Sequence, residues 1–194
     1  AEHTGANRIV IPVEPEVITR KSPPWLGELA AYEVLLVRPG PMGSEGPAWP
    51  RRILIPVLRE FHQAPFDVAA AFSASEVVPE VDVVAARVIE MPPIVPMYST
   101  YRPEALVDTT KELSFLDALR NRSLFRALTA NVLLVRDIGR DVVDFATERD
   151  VDVIVIPAFR GYGRHDFLTK EKREIVQRAR CTVVVVVEPA SSHA

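Results

Sequence analysis

Residues 183–187 are five valines in succession, preceded by Thr182 and followed by Glu188 and Pro189. β-branched side chains are stiff at χ1 and pack well on a pleated surface, so this run reads as a strand. It is continuous rather than alternating. A strand with no polar positions has no face to give to water, which places it in a sheet covered on both sides, as parallel sheets in α/β proteins are. The run is also the last in the chain, which in such a topology puts it at a sheet edge. Bare backbone groups there recruit other chains unless they are covered or paired.

Six further apolar runs, at 9–13, 34–37, 53–57, 81–89, 132–135 and 151–156, have the same character. Helical stretches lie between them. Asp137 is placed to cap a helix in which Ile138, Val142, Phe145 and Ala146 recur at helical spacing. Pro65 suits the first turn of a helix through Phe66, Ala69, Ala70 and Ser73, and Pro103 that of one carrying Leu106, Leu113 and Leu116. A last helix over 169–179 turns Ile175, Val176 and Ala179 inward. Strands alternating with helices of this length predict an open α/β layer, with a parallel sheet, right-handed crossovers and helices on both faces.

Two stretches break the alternation. Residues 39–51 hold four prolines and three glycines and read as a linker. Residues 91–103, with prolines around Tyr98 and Tyr101, read as a long loop over the sheet. On either side of the linker the chain repeats itself: residues 8–39 follow the same order as 153–189. Each runs from an apolar strand containing Ile-Pro, through a loop and an amphipathic helix, to a second apolar strand ending near a proline. The expected organisation is a partial repeat over 1–40, a linker over 41–51, a complete unit over 52–189 and a tail over 190–194. An ordinary extra edge strand at 9–13 is the alternative.

The segment 137–187, reaching back through 52–57, resembles the universal stress protein family. The residues that carry the likeness are RRILIPV, DIGRDVVDFATERDVDVIVIPA and EIVQRARCTVVVVVEP, and it covers about two-thirds of the chain. The resemblance implies a five-stranded parallel sheet, Rossmann-like and related to nucleotide-binding folds, with dimers formed through the fifth strand. On this reading the fragment 1–40 adds a strand-helix-strand unit. Strand 34–37, from Val34 to Val37, is then the counterpart of the valine run from Val183 to Val187. The two are expected to pair within the chain, or the valine run pairs with that of a second copy.

Many members of that family bind ATP or AMP. An aspartate normally ends the first strand and meets the nucleotide; here the position is Leu58. A glycine-rich run normally follows the fourth strand and leads to a Gly-Ser pair at the last helix, where free N–H groups approach phosphates. Here the opening glycine aligns with Ile156, followed by Pro157, which has no N–H, and the pair aligns with Thr169 and Lys170. Val88 matches a position placed against adenine. Gly161 and Gly163 remain in the loop, with Arg160, Arg164, His165 and Lys170 beside a helix N-terminus that favours anions. The candidate ligand residues are therefore Val88, Arg160, Gly161, Gly163, Arg164, Thr169 and Lys170, and solvated loop cations are the competing reading.

Other chemistry finds little support. The four histidines fall in tails and loops, and no serine or cysteine sits on a Gly-x-Ser-x-Gly elbow. Paired carboxylates such as Asp150 and Asp152 read as caps and solvated positions. No Cys/His cluster has zinc spacing, and the single Cys181 opens an apolar strand where thiols are buried and inert. A net charge of -3 supplies no basic surface for nucleic acid. No apolar run is long enough to span a bilayer, and the reading is of a cytoplasmic domain.

The expected function is a non-enzymatic sensor or regulatory module with a degenerate nucleotide site and no required cofactor. The alternative is an ATP- or AMP-binding protein, or slow ATPase, using an altered phosphate loop. The resemblance also allows the soluble tail of a membrane transporter, consistent with a chain that opens at Ala1 inside a repeat.

Overall fold

The computed structural model describes residues 8–20, 23–40, 49–73, 81–91, 114, 128–158 and 167–189. Its strands are β1 (Arg8–Pro12), β2 (Glu33–Arg38), β3 (Arg52–Val57), β4 (Asp82–Glu90), β5 (Leu128–Val135), β6 (Val153–Ala158) and β7 (Thr182–Val187). Its helices are α1 (Pro15–Arg20), α2 (Ala64–Ser73), α3 (Ile138–Glu148) and α4 (Lys170–Arg178), with a 3-10 turn at Pro24–Gly27. All seven strands form one sheet in the order β1-β2-β7-β6-β3-β4-β5. Every pairing is parallel except β2 with β7.

The sheet is sandwiched between two apolar cores. On one face Leu36, Leu54, Val88, Ile154, Ile156 and Val185 meet Ile18 of α1, Val142 of α3 and Ile175 of α4. On the other, Ile53, Ile55, Val83, Val155 and Val184 meet Phe66, Val68 and Ala69 of α2. Because both faces are covered, the central strands have no polar residue to spare, which is the origin of their continuous apolar sequence. β5 differs. It pairs with β4 alone among the described strands and is mostly half-buried, so Thr129 and Asn131 are tolerated. For that reason the strand begins at Leu128, four residues before the apolar run at 132–135.

The helix ends follow their caps. Asp137 accepts a hydrogen bond from the Arg140 N–H at 3.1 Å, and Asp141 accepts from the Arg136 N–H at 2.8 Å, so carboxylates satisfy the donors at the start of α3. At its other end Asp150 takes a left-handed conformation (φ 50°). The Val151 N–H then reaches the Ala146 carbonyl at 2.9 Å and the Asp150 N–H that of Thr147 at 3.2 Å, the pairing of a Schellman motif. Asp152 follows at once. Its Oδ2 accepts from the Arg51 and Arg52 N–H groups at 2.7 and 2.9 Å, tying the start of β6 to the start of β3. Helix α3 packs closely on α4 because Gly139 leaves room for Glu174; a Cβ there would lie 2.7 Å from the Glu174 Cβ.

The stretch between β1 and β2 is not the single amphipathic helix expected from the repeat. It is the six-residue α1 followed by the 3-10 turn, since Pro23 and Pro24 withhold N–H donors and force the chain extended, with φ −59° and ψ 135° at Pro23. β1 and β2 also join the same sheet, making seven strands where the resemblance implies five. Of the helix expected after Pro103 only Ser114, helical and exposed, is described, and most of the loop expected at 91–103 lies outside the described residues; of the latter, the Met91 N–H donates to the Val135 carbonyl at 2.7 Å.

The register of the strand pairs β1–β2 and β6–β7 is symmetric. Pro12 of β1 faces Val37 of β2, and Pro157 of β6 faces Val186 of β7. One position earlier, Ile11 faces Leu36 and Ile156 faces Val185. Leu36 and Val185 are therefore equivalent in their respective strand pairs, and they lie opposite each other in the antiparallel β2–β7 ladder.

Candidate functional site

β3 lies between β4, to which the chain runs next, and β6, whose own continuation leads the other way to β7. Beyond the carboxyl ends of two such strands their connections diverge, and open α/β sheets leave a crevice at that place. A cavity of about 160 Å³ occupies it, lined by Pro56, Leu58, Arg59, Glu60, His62, Ile138, Pro157, Thr169, Glu171 and Lys172. Five elements build it: the carboxyl ends of β3 and β6, the loop after β3, the first residue of α3, and the start of α4 with its cap. Arg87 of β4 pins the loop by donating to the carbonyls of Leu58 at 3.2 Å and Arg59 at 3.0 Å. Thr169 fixes the last, its hydroxyl accepting the Lys172 N–H at 3.4 Å as N-cap.

Pro56, Leu58, Ile138 and Pro157 contribute apolar surface, while the polar groups carry both signs of charge. Lys172 is only 6% exposed. Burial lowers its ammonium pKa to about 8, although Glu171 and Glu60 act to raise it. His62 is held below its usual value, first by burial and then by Lys172, with Glu188 and Glu60 opposing; its Nδ1 lies 3.7 Å from Glu188 Oε1. Glu171 is held below the usual carboxylate range, chiefly by its hydrogen bond with the Thr169 side chain. Arg59, 3.7 Å away, acts in the same direction. The site thus brings a buried amine, an imidazole held toward its neutral form and two carboxylates around an apolar pocket.

Of the residues expected from sequence, Thr169 lines this cavity. Lys170 is the exposed first residue of α4 and does not line it; the lysine that does is Lys172. Val88 is buried in β4 opposite Leu133, within the apolar core and away from the cavity lining. Arg160, Gly161, Gly163 and Arg164 lie outside the described residues. Sequence reasoning passed over Glu60, His62, Glu171 and Lys172. For Lys172 a signal existed, because it stands three and four residues before Ile175 and Val176, on the stripe that faces the sheet. His62 had none beyond following a strand by five residues.

At the opposite end of the sheet a second cavity of about 170 Å³ is lined by Val143, Ala146, Thr147, Asp150, Val151, Ala179, Arg180 and Cys181. Burial pushes the Cys181 thiol up to about 11, which keeps it protonated and unreactive. Among the described residues no group of three or more His, Cys, Asp and Glu is placed to hold a metal ion, and no helix is long and apolar enough to cross a membrane.

Among solved structures, the chain is similar to a hypothetical protein, PH0823, with a TM-score of 0.51 and 15% identity over 74% of this chain and 99% of that one. The likeness shows the fold. The universal stress protein UspA from Lactobacillus plantarum gives 0.49 and 22% identity over 72% of this chain and 99% of that one. A putative universal stress protein from Pseudomonas aeruginosa UCBPP-PA14 gives 0.48 and 14% identity over 95% of this chain, which spans 64% of the length of that protein. No family model and no curated protein matches the chain.

Proposed function

We propose that this chain is a divergent universal stress protein domain acting as a non-enzymatic sensor or regulatory module whose nucleotide site has been rebuilt. One observation carries the reading. Leu58 and Pro157, at the positions where the resemblance calls for a nucleotide-binding aspartate and for glycine-rich backbone, both line the switch-point cavity. An isobutyl group offers no acceptor to a ribose or a metal, and an imide nitrogen no donor to a phosphate. The cavity volume also lies below the roughly 300 Å³ at which ligand-sized pockets begin.

The division into a partial repeat (1–40) and a complete unit (52–189) belongs to the same proposal. The symmetric register about Leu36 and Val185 supports it, as expected of two equivalent strand pairs meeting edge to edge. With β2 on its outer edge, β7 can pair with a second copy only by releasing β2, so sedimentation at micromolar concentration is expected to give a monomer. A regulatory role within the cytoplasm, including as part of a membrane transporter, is the setting this function fits.

Isothermal calorimetry with ATP, ADP and AMP, with and without magnesium, tests the central point. No binding at micromolar concentration is expected. Micromolar affinity that is lost in Lys170→Ala would replace this reading with that of a nucleotide binder using Thr169 and Lys170.

A further inference from the structure

The switch-point cavity contains the components of amine–carbonyl chemistry. A nucleophilic lysine must be neutral to attack, and removal from water favours neutrality. Burial moves Lys172 toward that condition inside a pocket whose mouth is marked by Arg59, with a side chain 79% exposed, and whose other walls include Leu58, Ile138 and Pro157. We infer that the cavity is a site for a small uncharged aldehyde or ketone, held by reversible imine formation with Lys172. The inference deepens the sensor reading and rests on it for the purpose of the ligand, while the chemistry rests on the cavity alone.

The step balances without a redox partner. The lone pair of the Lys172 amine adds to the carbonyl carbon, and the C=O π pair moves to oxygen, giving a carbinolamine after proton transfer. Loss of the hydroxyl as water then forms C=N, so amine and carbonyl become imine and water. The nitrogen gives up a proton and the departing hydroxyl takes one up. His62 lines the same cavity and is held toward its neutral form, so it can accept the first and return the second.

The charges facing Lys172 select the kind of adduct. Glu171 and Glu60 both act to favour positive charge on its nitrogen, with His62 and Arg59 the basic groups in the same lining. A protonated imine keeps that positive charge, whereas a carbamate formed with carbon dioxide would put a negative charge beside two carboxylates. The volume of about 160 Å³ restricts the guest to a small molecule.

With its pKa lowered to about 8, Lys172 carries at pH 7 about 300 times the neutral fraction of an ordinary lysine at 10.5. Its lower basicity returns part of that advantage as weaker nucleophilicity.

The test is reductive labelling of the intact chain with propanal and cyanoborohydride, followed by peptide mass mapping. The chain has four lysines, Lys21, Lys111, Lys170 and Lys172, so the sites are easily separated. The expected result is N-propylation of Lys172 at least about ten-fold faster than of Lys170 at pH 7. Lys172→Arg should abolish the fast site. If that variant does not fold, the map of the unaltered chain decides by itself. Labelling of Lys172 no faster than that of the other three overturns the inference. Calorimetry keeps the two readings apart: slow Lys172 without nucleotide binding leaves the sensor standing, and fast Lys172 with micromolar ATP binding leaves the imine site standing.

Discussion

Replacing Leu36 by alanine tests whether the N-terminal segment is an integral part of the fold. Leu36 is 0% exposed, lies at the centre of the β2–β7 ladder opposite Val185, and belongs to the same apolar cluster as Ile154 and Ile156. The substitution removes three carbons, about 2.4 kcal/mol of transfer free energy at about 0.8 kcal/mol each. The cavity left behind brings the total to about 3–4 kcal/mol, because strands paired on both sides cannot collapse into it. With a urea m-value of about 2 kcal/mol/M, the unfolding midpoint should fall by about 1.5–2 M. Two tryptophans report separately. Trp25 packs on the core from the N-terminal segment, and Trp49 sits against Phe72 with ring centroids 5.7 Å apart. In each single-tryptophan variant, fluorescence and far-UV circular dichroism should give the same unfolding midpoint. In hydrogen exchange, the amides of residues 34–37 should be protected as strongly as those of β7. A loss below about 1 kcal/mol, together with fast exchange at 34–37, would refute the reasoning and detach β2 from the sheet.

Four further outcomes are expected. Gly139→Ala should lower stability by about 1–3 kcal/mol in urea unfolding, since its new Cβ would meet Glu174 at 2.6–2.7 Å between α3 and α4. Asp150→Gly should raise stability by about 0.5–1 kcal/mol, because φ 50° is strained for aspartate and not for glycine. Lys172 has a folded pKa of about 8 against an ordinary 10.5, so between those values the unfolded chain binds a proton that the folded one does not. Its contribution to stability should therefore rise with pH across that window by about 3 kcal/mol, a slope absent in Lys172→Met, which should be the more stable protein at pH 7. Cys181, raised from 9.0 to about 11, should react with a disulfide reagent at pH 8 at least about ten-fold more slowly in the folded chain than in urea, its smaller thiolate fraction being partly offset by greater nucleophilicity.

The candidate site was only partly legible in the sequence. Thr169 was expected there on the strength of a motif position, and it lines the cavity as the cap of α4. Motif alignment points to Lys170 because it counts positions along the chain, whereas burial depends on which side of a helix faces the sheet. A helical turn of 100° per residue carries Lys172 round to the stripe of Ile175 and Val176 and leaves Lys170 in water. Val88, matched by the resemblance to a position placed against adenine, packs in the core and does not line this cavity.

What the sequence determined by itself is the set of properties that neighbouring residues decide among themselves. Unbroken β-branched runs require strands covered on both faces, Asp137 opens α3 by bonding an N–H three residues on, and Pro23 with Pro24 ends the helical path after α1. Tertiary structure alone decided which groups lose water. His62 and Lys172 share a pocket although 110 positions separate them, and neither local spacing nor composition carries that distance. The strength of a buried charge depends on the solvent it is denied, and that is set by the packing of β3, β6, α3 and α4 together.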